Sequence, residues 1–552
     1  MWLVFSLLGL GVLAVLARVL WLQLEDAEKL QQEGRARYLH TMKVEAVRGR
    51  LLDRNGELLA ISTPVKSICV KPAELLNDDA AVAELAAWRG WSEQGLRDRL
   101  APYMNSACRM IRRRIAPPEA DALMARNLPG VFAVREYRRY YPAGKVTAHV
   151  LGITDVDDRG REGLELAFDS NLRGKPGLKQ VIRDRKGHVI KEVESLQDAV
   201  PGEDLQLSLD LRIQHLAYEA LDQAVRRYRA ESGSVVVLAA RSGEVLAMVN
   251  VPSYNPNSPA KPTDGRMRNR AVTDPYEPGS ILKPVVVAAA LESGRYTPAS
   301  RIDTLGGRME VAGHVIRDVS DHGTLTLTGV LKHSSNVAMS RIALSLDSRH
   351  LWNVLQHFGF GSETWSHFPG EVRGVLPHYD SWHQVEKATL GYGYRLSATT
   401  LQIANAYAVL ANGGVRRPPV FIRGAGERGE AVIDPAITRQ VLDMMETVVQ
   451  PGGTGTRAAI PYYRVAGKTG TAHISGKGGY RDRYIASFAG IAPASEPELV
   501  VVVTIHDPQG EAYYGGQVAA PVFRQVMGGA LRLLDIVPDD LQWRRAMVGG
   551  AS

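Results

Sequence analysis

Tyr276-Glu277-Pro278-Gly279-Ser280-Ile281-Leu282-Lys283 is the stretch from which the rest of the chain can be read. Pro278-Gly279 punctuates the chain, and the run from Val285 to Leu291 is apolar and Ala-rich, so a helix is expected to open near Ser280. Pro284 suits its first turn, where a missing amide proton costs least. Ser280 and Lys283 then stand three residues apart on one helical face, where their side chains can meet. A serine hydroxyl attacks poorly until a neighbouring base takes its proton. Lysine is such a base only when neutral, so its pKa must fall from about 10.4 towards the working pH, by burial or by a second cation. Lys468 is the candidate for that cation.

The same Ser-x-x-Lys spacing recurs at Ser258-Pro259-Ala260-Lys261, but in an Asn/Pro-rich stretch that is not expected to be helical. Gly467-Lys468-Thr469 looks like the end of a phosphate-binding loop, yet Tyr462 stands where the first glycine is required. Gly-x-Ser-x-Gly and His-Glu-x-x-His are both missing, so the common hydrolase and zinc-protease readings lack their anchors. What raises Ser280 above a chance match is order along the chain: Ser280-x-x-Lys283, then Ser334-Ser335-Asn336, then Lys468-Thr469-Gly470-Thr471. Ser334 can relay a proton to a leaving amine, Asn336 can hold a substrate amide, and Lys468 with Thr469 and Thr471 can grip a carboxylate. Gly470 would let a substrate backbone approach the strand, and the amides of Ser280 and Thr471 can form an oxyanion hole. Taken alone, Ser334 to Asn336 reads as a helix cap.

At 552 residues the chain exceeds what one hydrophobic core supports, so about two or three domains are expected. With 45% hydrophobic and 23% charged residues it is neither disordered nor fibrous. The formal charge of +7 is spread without a long Lys/Arg run, which reads as solvated surface and gives no ground for nucleic-acid binding. Cys69 and Cys108 fit either a bridge in an oxidising compartment or two buried thiols. Neither lies in a cluster with metal spacing, and no cofactor is called for.

Residues 1–24 are almost wholly apolar and read as one transmembrane helix, with Arg18 able to snorkel and Trp21 beside it at the interface. The competing reading is a cleaved signal peptide, against which stands the lack of a basic residue before the apolar run. Residues 25–202 read as a pedestal of mixed strands and helices, opened by a polar helix to about Tyr38. Turns are expected at Asp53-Arg54-Asn55-Gly56, Pro129-Gly130 and Pro176-Gly177. A second domain, 203–536, follows Pro201-Gly202, leaving 537–552 as a tail. In it Asp210 can cap a helix with one apolar face, from Ile213 through Leu221 to Val225. Ser234 to Ala239 and Glu244 to Val249 read as a hairpin turned by Arg241-Ser242-Gly243, and Leu499 to Ile505 as a buried strand. The fold class is α/β (α+β), with antiparallel pairs in the sheet.

The ordered motifs belong to the penicillin-binding proteins and class A β-lactamases. The chain as a whole resembles the class B penicillin-binding proteins, nearest to their division-type transpeptidases. The likeness includes Arg48-Gly49-Arg50-Leu51-Leu52-Asp53-Arg54-Asn55-Gly56, Glu162-Gly163-Leu164-Glu165, Arg268-Asn269-Arg270, Tyr513-Tyr514-Gly515-Gly516 and Ala520-Pro521-Val522-Phe523. Glu277-Pro278-Gly279 before Ser280 is similar to the division enzymes. Family members usually carry a basic tail before the anchor, and this chain opens on Met1-Trp2. The resemblance implies a penicillin-binding/serine β-lactamase-like domain on a dimerisation-type pedestal, with no cofactor. It implies acyl transfer in which Ser280 attacks the D-Ala-D-Ala amide of a peptidoglycan stem peptide, D-Ala leaves, and an amine of a second stem peptide resolves the ester. β-Lactam antibiotics would trap Ser280. By similarity Tyr484, Tyr513 and Tyr514 wall the site, the plainer reading being packing in β-rich segments. The implied partners are an FtsW-type lipid-II polymerase and other division proteins, and the implied location is the inner membrane with the catalytic domain in the periplasm. The rival readings are a carboxypeptidase or β-lactamase, and a β-lactam-binding scaffold or sensor.

Overall fold

The computed structural model describes residues 1–24, 39–183, 189–258, 264–426, 428–476 and 479–540. The polar helix expected before Tyr38, residues 259–261 of the second Ser-x-x-Lys and most of the C-terminal tail lie outside the described residues. The fold is mixed α+β, and the chain divides into two compact units, each drawn from more than one stretch. One comprises Met1–Gly49, Ser62–Arg139 and Ser170–Glu203; the other comprises Arg50–Ile61, Tyr140–Asp169 and Asp204–Ser552.

In the first unit, helix α1 (Trp2–Leu24) contains a 21-residue span, Trp2–Leu22, long and apolar enough to cross a membrane, with none of it buried by the described residues. Strand β1 (Leu39–Val44), the C-terminal part of β2 (Leu58–Val70), β3 (Arg109–Ile115), β4 (Gly177–Arg183) and β5 (Val189–Gln197) form two sheets. β4 pairs antiparallel with both β1 and β5, and β2 pairs with β3 through Lys66↔Ile115 and Val70↔Arg109. Gly177 thus begins a strand rather than completing a turn, because it is drawn into register with Val44. Ile68 and Val70 of β2 pack on Leu75, Val82, Leu85, Leu96 and Leu123 from the short helices beside them. Two of those helices are capped by Asp78 and Ser92. Cys69 and Cys108 are joined by a disulfide, with 5.3 Å between their Cα atoms.

The second unit is built on α2 (Leu211–Arg227), β6 (Ser232–Ala239), β7 (Val245–Val251), α3 (Lys283–Glu292), β8 (Arg308–Val311), β9 (His314–Arg317), α4 (Leu327–His333) and α5 (Asn336–Ser345). It is completed by α6 (Thr400–Ala411), β10 (Ala466–Gly476), β11 (Gly479–Ala492), β12 (Leu499–His506) and α7 (Gly515–Leu533). The main sheet runs β7-β6-β12-β11-β10, antiparallel throughout. β12 is its middle strand, and Val500 to Val503 are fully buried because both sheet faces are covered. On one face Val235, Val237, Val501 and Val503 meet the apolar sides of α2 and α7. On the other, Thr504 shares a hydrogen bond with Thr400 of α6. The hairpin β6–β7 and the cap of α2, in which Asp210 accepts from the Arg212 amide, are as the sequence led one to expect. So is the turn at Asp53, whose carboxylate accepts the amides of Asn55 and Glu57. β10 ends the sheet, hydrogen-bonded to a neighbour on one side only among the described residues.

The Cys69–Cys108 bridge spans 39 residues of chain. Replacing both cysteines by serine is expected to destabilise the first unit by roughly 2–4 kcal/mol through the freed unfolded chain, read as a lower urea midpoint under non-reducing conditions.

Candidate active site

Gly279–Leu282 forms a 3₁₀ turn that runs directly into α3, with Pro284 in the first turn of the helix. Gly279 has φ +57°, a conformation that favours glycine, and a Cβ there would come 3.1 Å from the Cβ of Ala472 on β10. The Gly279 amide donates to the Gly393 carbonyl at 3.0 Å, and the Tyr407 hydroxyl donates to the Ile281 carbonyl at 2.8 Å. Ser280 therefore sits half-buried on a turn held from both sides.

Lys283 is fully buried. Its Nζ lies 2.6 Å from the Ser334 carbonyl, 2.8 Å from Asn336 Oδ1 and 3.1 Å from Ser334 Oγ. The sequence led one to expect the amine against the Ser280 hydroxyl; its hydrogen bonds go instead to the second motif. Lys468, also fully buried, donates to Ser334 Oγ at 2.8 Å and to the Thr469 carbonyl at 3.0 Å. One hydroxyl, that of Ser334, thus stands between two buried amines.

Burial pushes Lys283 well below the ordinary lysine range, the charge of Lys468 pushes it further, and Asp318 opposes them. Burial alone brings Lys468 down to about 7. A neutral Lys283 has two N–H bonds and one lone pair. The Ser334 carbonyl and Asn336 Oδ1 can only accept, so they take the two N–H groups and leave the lone pair for a hydroxyl proton.

Ser334 ends α4 with φ +60° and ψ 39°, left-handed backbone that a serine adopts at a cost of order 1 kcal/mol. Ser335 then caps α5 by accepting from the Ala338 amide at 3.0 Å. The cap reading of this motif holds, and the reversal between two helices is what aims Ser334 Oγ at the lysines. Asp318 secures it by accepting from the Ser335 hydroxyl and from the amides of Asn336 and Val337. The Arg317 carbonyl takes Asn336 Nδ2 at 3.1 Å, which fixes the amide with Oδ1 towards Lys283. Sequence reading missed Asp318, which stands 16 residues before Ser334 in no motif of its own.

On β10, a Cβ at Gly470 would lie 2.9 Å from Ile281 Cγ2 and 3.3 Å from the Pro278 carbonyl. The close approach that requires glycine is therefore that of the Ser280 turn to the strand, rather than of a substrate. Thr469 Oγ1 meets Thr454 Oγ1 at 2.8 Å, and Thr471 Oγ1 accepts from the Gly515 amide at 3.0 Å. The Thr471 O–H remains available to donate. Tyr484 and Tyr513 stack with ring centroids 4.3 Å apart, and Tyr513 and Tyr514 at 4.4 Å. His473 lies 4.6 Å from Tyr484, and the row continues through Tyr480 to Tyr394 and Tyr392. Those four were absent from the sequence reading; Tyr392-Gly393-Tyr394 could have flagged two of them.

Residues 233–528 match the penicillin binding protein transpeptidase domain, and residues 43–207 the penicillin-binding protein dimerisation domain. The chain belongs to the class B penicillin-binding proteins. It is 42% identical to the peptidoglycan D,D-transpeptidase FtsI of Escherichia coli K12, over 96% of this chain and 91% of that one. It is 40% identical to the probable peptidoglycan D,D-transpeptidase PbpC of Pseudomonas aeruginosa, over 98% and 96%. Among solved structures, the transpeptidase domain of Burkholderia pseudomallei penicillin-binding protein 3 is 38% identical, with TM-score 0.56, over 60% of this chain and 97% of that one. A peptidoglycan synthetase from Bifidobacterium adolescentis is 27% identical, with TM-score 0.71, over 91% and 98%.

Gly470→Ala is expected to push β10 from the Ser280 turn and slow acylation by penicillin at least tenfold, measured by stopped-flow with a fluorescent penicillin. Lys468→Met is expected to raise the melting temperature while removing activity. A folded pKa of about 7 against an unfolded value near 10.4 means that the unfolded chain binds the extra proton between those limits. The gain should be largest at pH 7 and below and vanish by about pH 10.5, as thermal unfolding across that range would show.

Proposed function

We propose that this protein is a peptidoglycan D,D-transpeptidase that cross-links stem peptides during septal wall synthesis and is acylated by β-lactams. The single observation that carries the reading is the Ser334 hydroxyl held between the amines of Lys283 and Lys468, beside the turn bearing Ser280. In the first half-reaction the Ser280 oxygen bonds to the carbonyl carbon of the penultimate D-Ala while its proton passes to the Lys283 lone pair. The C–N bond then breaks, and the departing D-Ala amine takes a proton through Ser334. In the second, an amine of another stem peptide attacks the ester, loses its proton by the same route, and Ser280 regains its own. The amides of Ser280 and Thr471 stabilise the oxyanion, and Asn336 holds the donor amide. Thr469 and Thr471 hold the terminal carboxylate, with the charge of Lys468 behind them. Gly470 keeps β10 against the turn, and the edge of that strand, unpaired with any strand among the described residues, suits an extended peptide laid alongside it. Tyr484, Tyr513 and Tyr514 wall the site.

Transfer rather than hydrolysis is supported by the engagement of two of the three acids, Glu363, Glu371 and Glu386, that could serve a hydrolytic water. Glu371 is engaged by the Thr364 amide and the Ser366 hydroxyl, and Glu386 pairs with Arg395. We read residues 1–24 as the anchor in the cytoplasmic membrane, 25–202 as the pedestal, 203–536 as the transpeptidase domain in the periplasm and 537–552 as a tail. The apolar α1 and the Cys69–Cys108 bridge, typical of an oxidising compartment, support that placement. Kinship with FtsI-named relatives supports an FtsW-type lipid-II polymerase and other division proteins as partners.

Intact-mass measurement with a labelled penicillin is expected to give one stable adduct on the native protein and none on Ser280→Ala. Rapid loss of the adduct would identify a β-lactamase, and its absence from the native protein would identify a scaffold.

A further inference from the structure

We propose that Arg308 and Arg317 form a subsite for a stem-peptide carboxylate other than the terminal one, on the Asn336 side of Ser280. The inference rests on the transpeptidase reading above. β8 and β9 make a two-stranded hairpin turned by Ala312-Gly313, both with left-handed backbone, φ +45° and +81°. Its register sets Arg308 opposite Arg317 and Glu310 opposite Val315. Val311 and Ile316 are buried against Val337 and Ala388, so the alternation of the strands leaves Arg308, Glu310, Val315 and Arg317 on the outer face, all four exposed.

Like charges directly opposite each other destabilise a strand pair. Among the described residues neither arginine forms an ion pair, not even with Glu310 on the same face. The hairpin would be more stable without this pair, so the two guanidiniums serve something outside the fold. Their backbone is fixed to the catalytic loop at both ends. The Arg317 carbonyl accepts from Asn336 Nδ2, the next residue is the Asp318 that holds Ser335 and Asn336, and the Asp318 amide donates at 2.9 Å to the Gly307 carbonyl, beside Arg308. Two guanidiniums on one face match a carboxylate, which arginine binds through paired hydrogen bonds. The terminal carboxylate of the donor is accounted for at β10. Stem peptides carry further free carboxylates upstream of it, and the subsite takes one of these.

The test uses the full-length chain and stem-peptide thioester donors whose upstream carboxylate is either free or amidated. For the native protein the KM of the acid donor should rise steeply between about 50 and 500 mM NaCl, as screening predicts, while that of the amidated donor changes little. In R308Q/R317Q the acid-over-amide preference should shrink roughly tenfold, the scale of losing a charge-assisted pair, and R308K/R317K should keep part of it. A preference that appears only in transfer to an acceptor peptide, and not in donor acylation, would assign the carboxylate to the acceptor. Equal KM values for the two donors, with no salt dependence in either step, would overturn the subsite while leaving penicillin acylation of Ser280 intact. A native protein that penicillin does not acylate would overturn the transpeptidase reading and the subsite with it.

Discussion

The Ser334 hydroxyl shared by two buried amines is the constraint around which the second unit is organised. Sealing an ammonium away from water costs several kcal/mol even after relaxation. Two of them around one oxygen would add mutual repulsion, so the protein relieves the conflict by lowering the proton affinity of Lys283 and bringing Lys468 down to about 7. The same burial that would be a liability in an inert core favours an uncharged amine at Lys283. Pairing each lysine with a carboxylate would be cheaper. Instead the nearest acid, Asp318, is occupied with the hydroxyl and amides of the loop that presents Ser334.

Several local departures from ordinary backbone follow from holding that arrangement. Ser334 accepts left-handed geometry because α4 must end and α5 begin within two residues of it. Gly279 and Gly470 are needed because the Ser280 turn and the edge strand approach until a single Cβ would collide. The rigidity behind these contacts comes from the five-stranded sheet, whose middle strand is buried on both faces and whose end strand β10 carries Lys468 and, among the described residues, pairs with a strand on one side only. Catalytic precision at an edge thus depends on packing at the centre.

The first unit solves a different problem. Its sheets and short helices bury a modest apolar core, supplemented by a covalent link from β2 to the loop before β3. Its apolar first helix is not buried by any of the described residues, which is consistent with lipid as its surroundings.

Much of this was legible in the amino acids alone. Apolar length marked α1, alternation and β-branching marked the hairpin and the middle strand, and Asp210 announced the start of α2. The three motifs picked out the candidate side chains that the structure gathers around Ser334, because spacing within a motif is a local property, set by one turn of helix or one strand. What the sequence could not give was who touches whom across long separations. Lys283 engages Ser334 and Asn336, Asp318 secures the loop between two helices, and Gly470 yields to Ile281. Nor could it choose between a bridge and two thiols at Cys69 and Cys108. These are contacts between segments tens to nearly two hundred residues apart, and hydrophobic periodicity records which face of an element is buried without recording which neighbour covers it. The chemistry was written in the residue types; its geometry, and with it the proton affinity of the lysines, came only from the packing that takes water away.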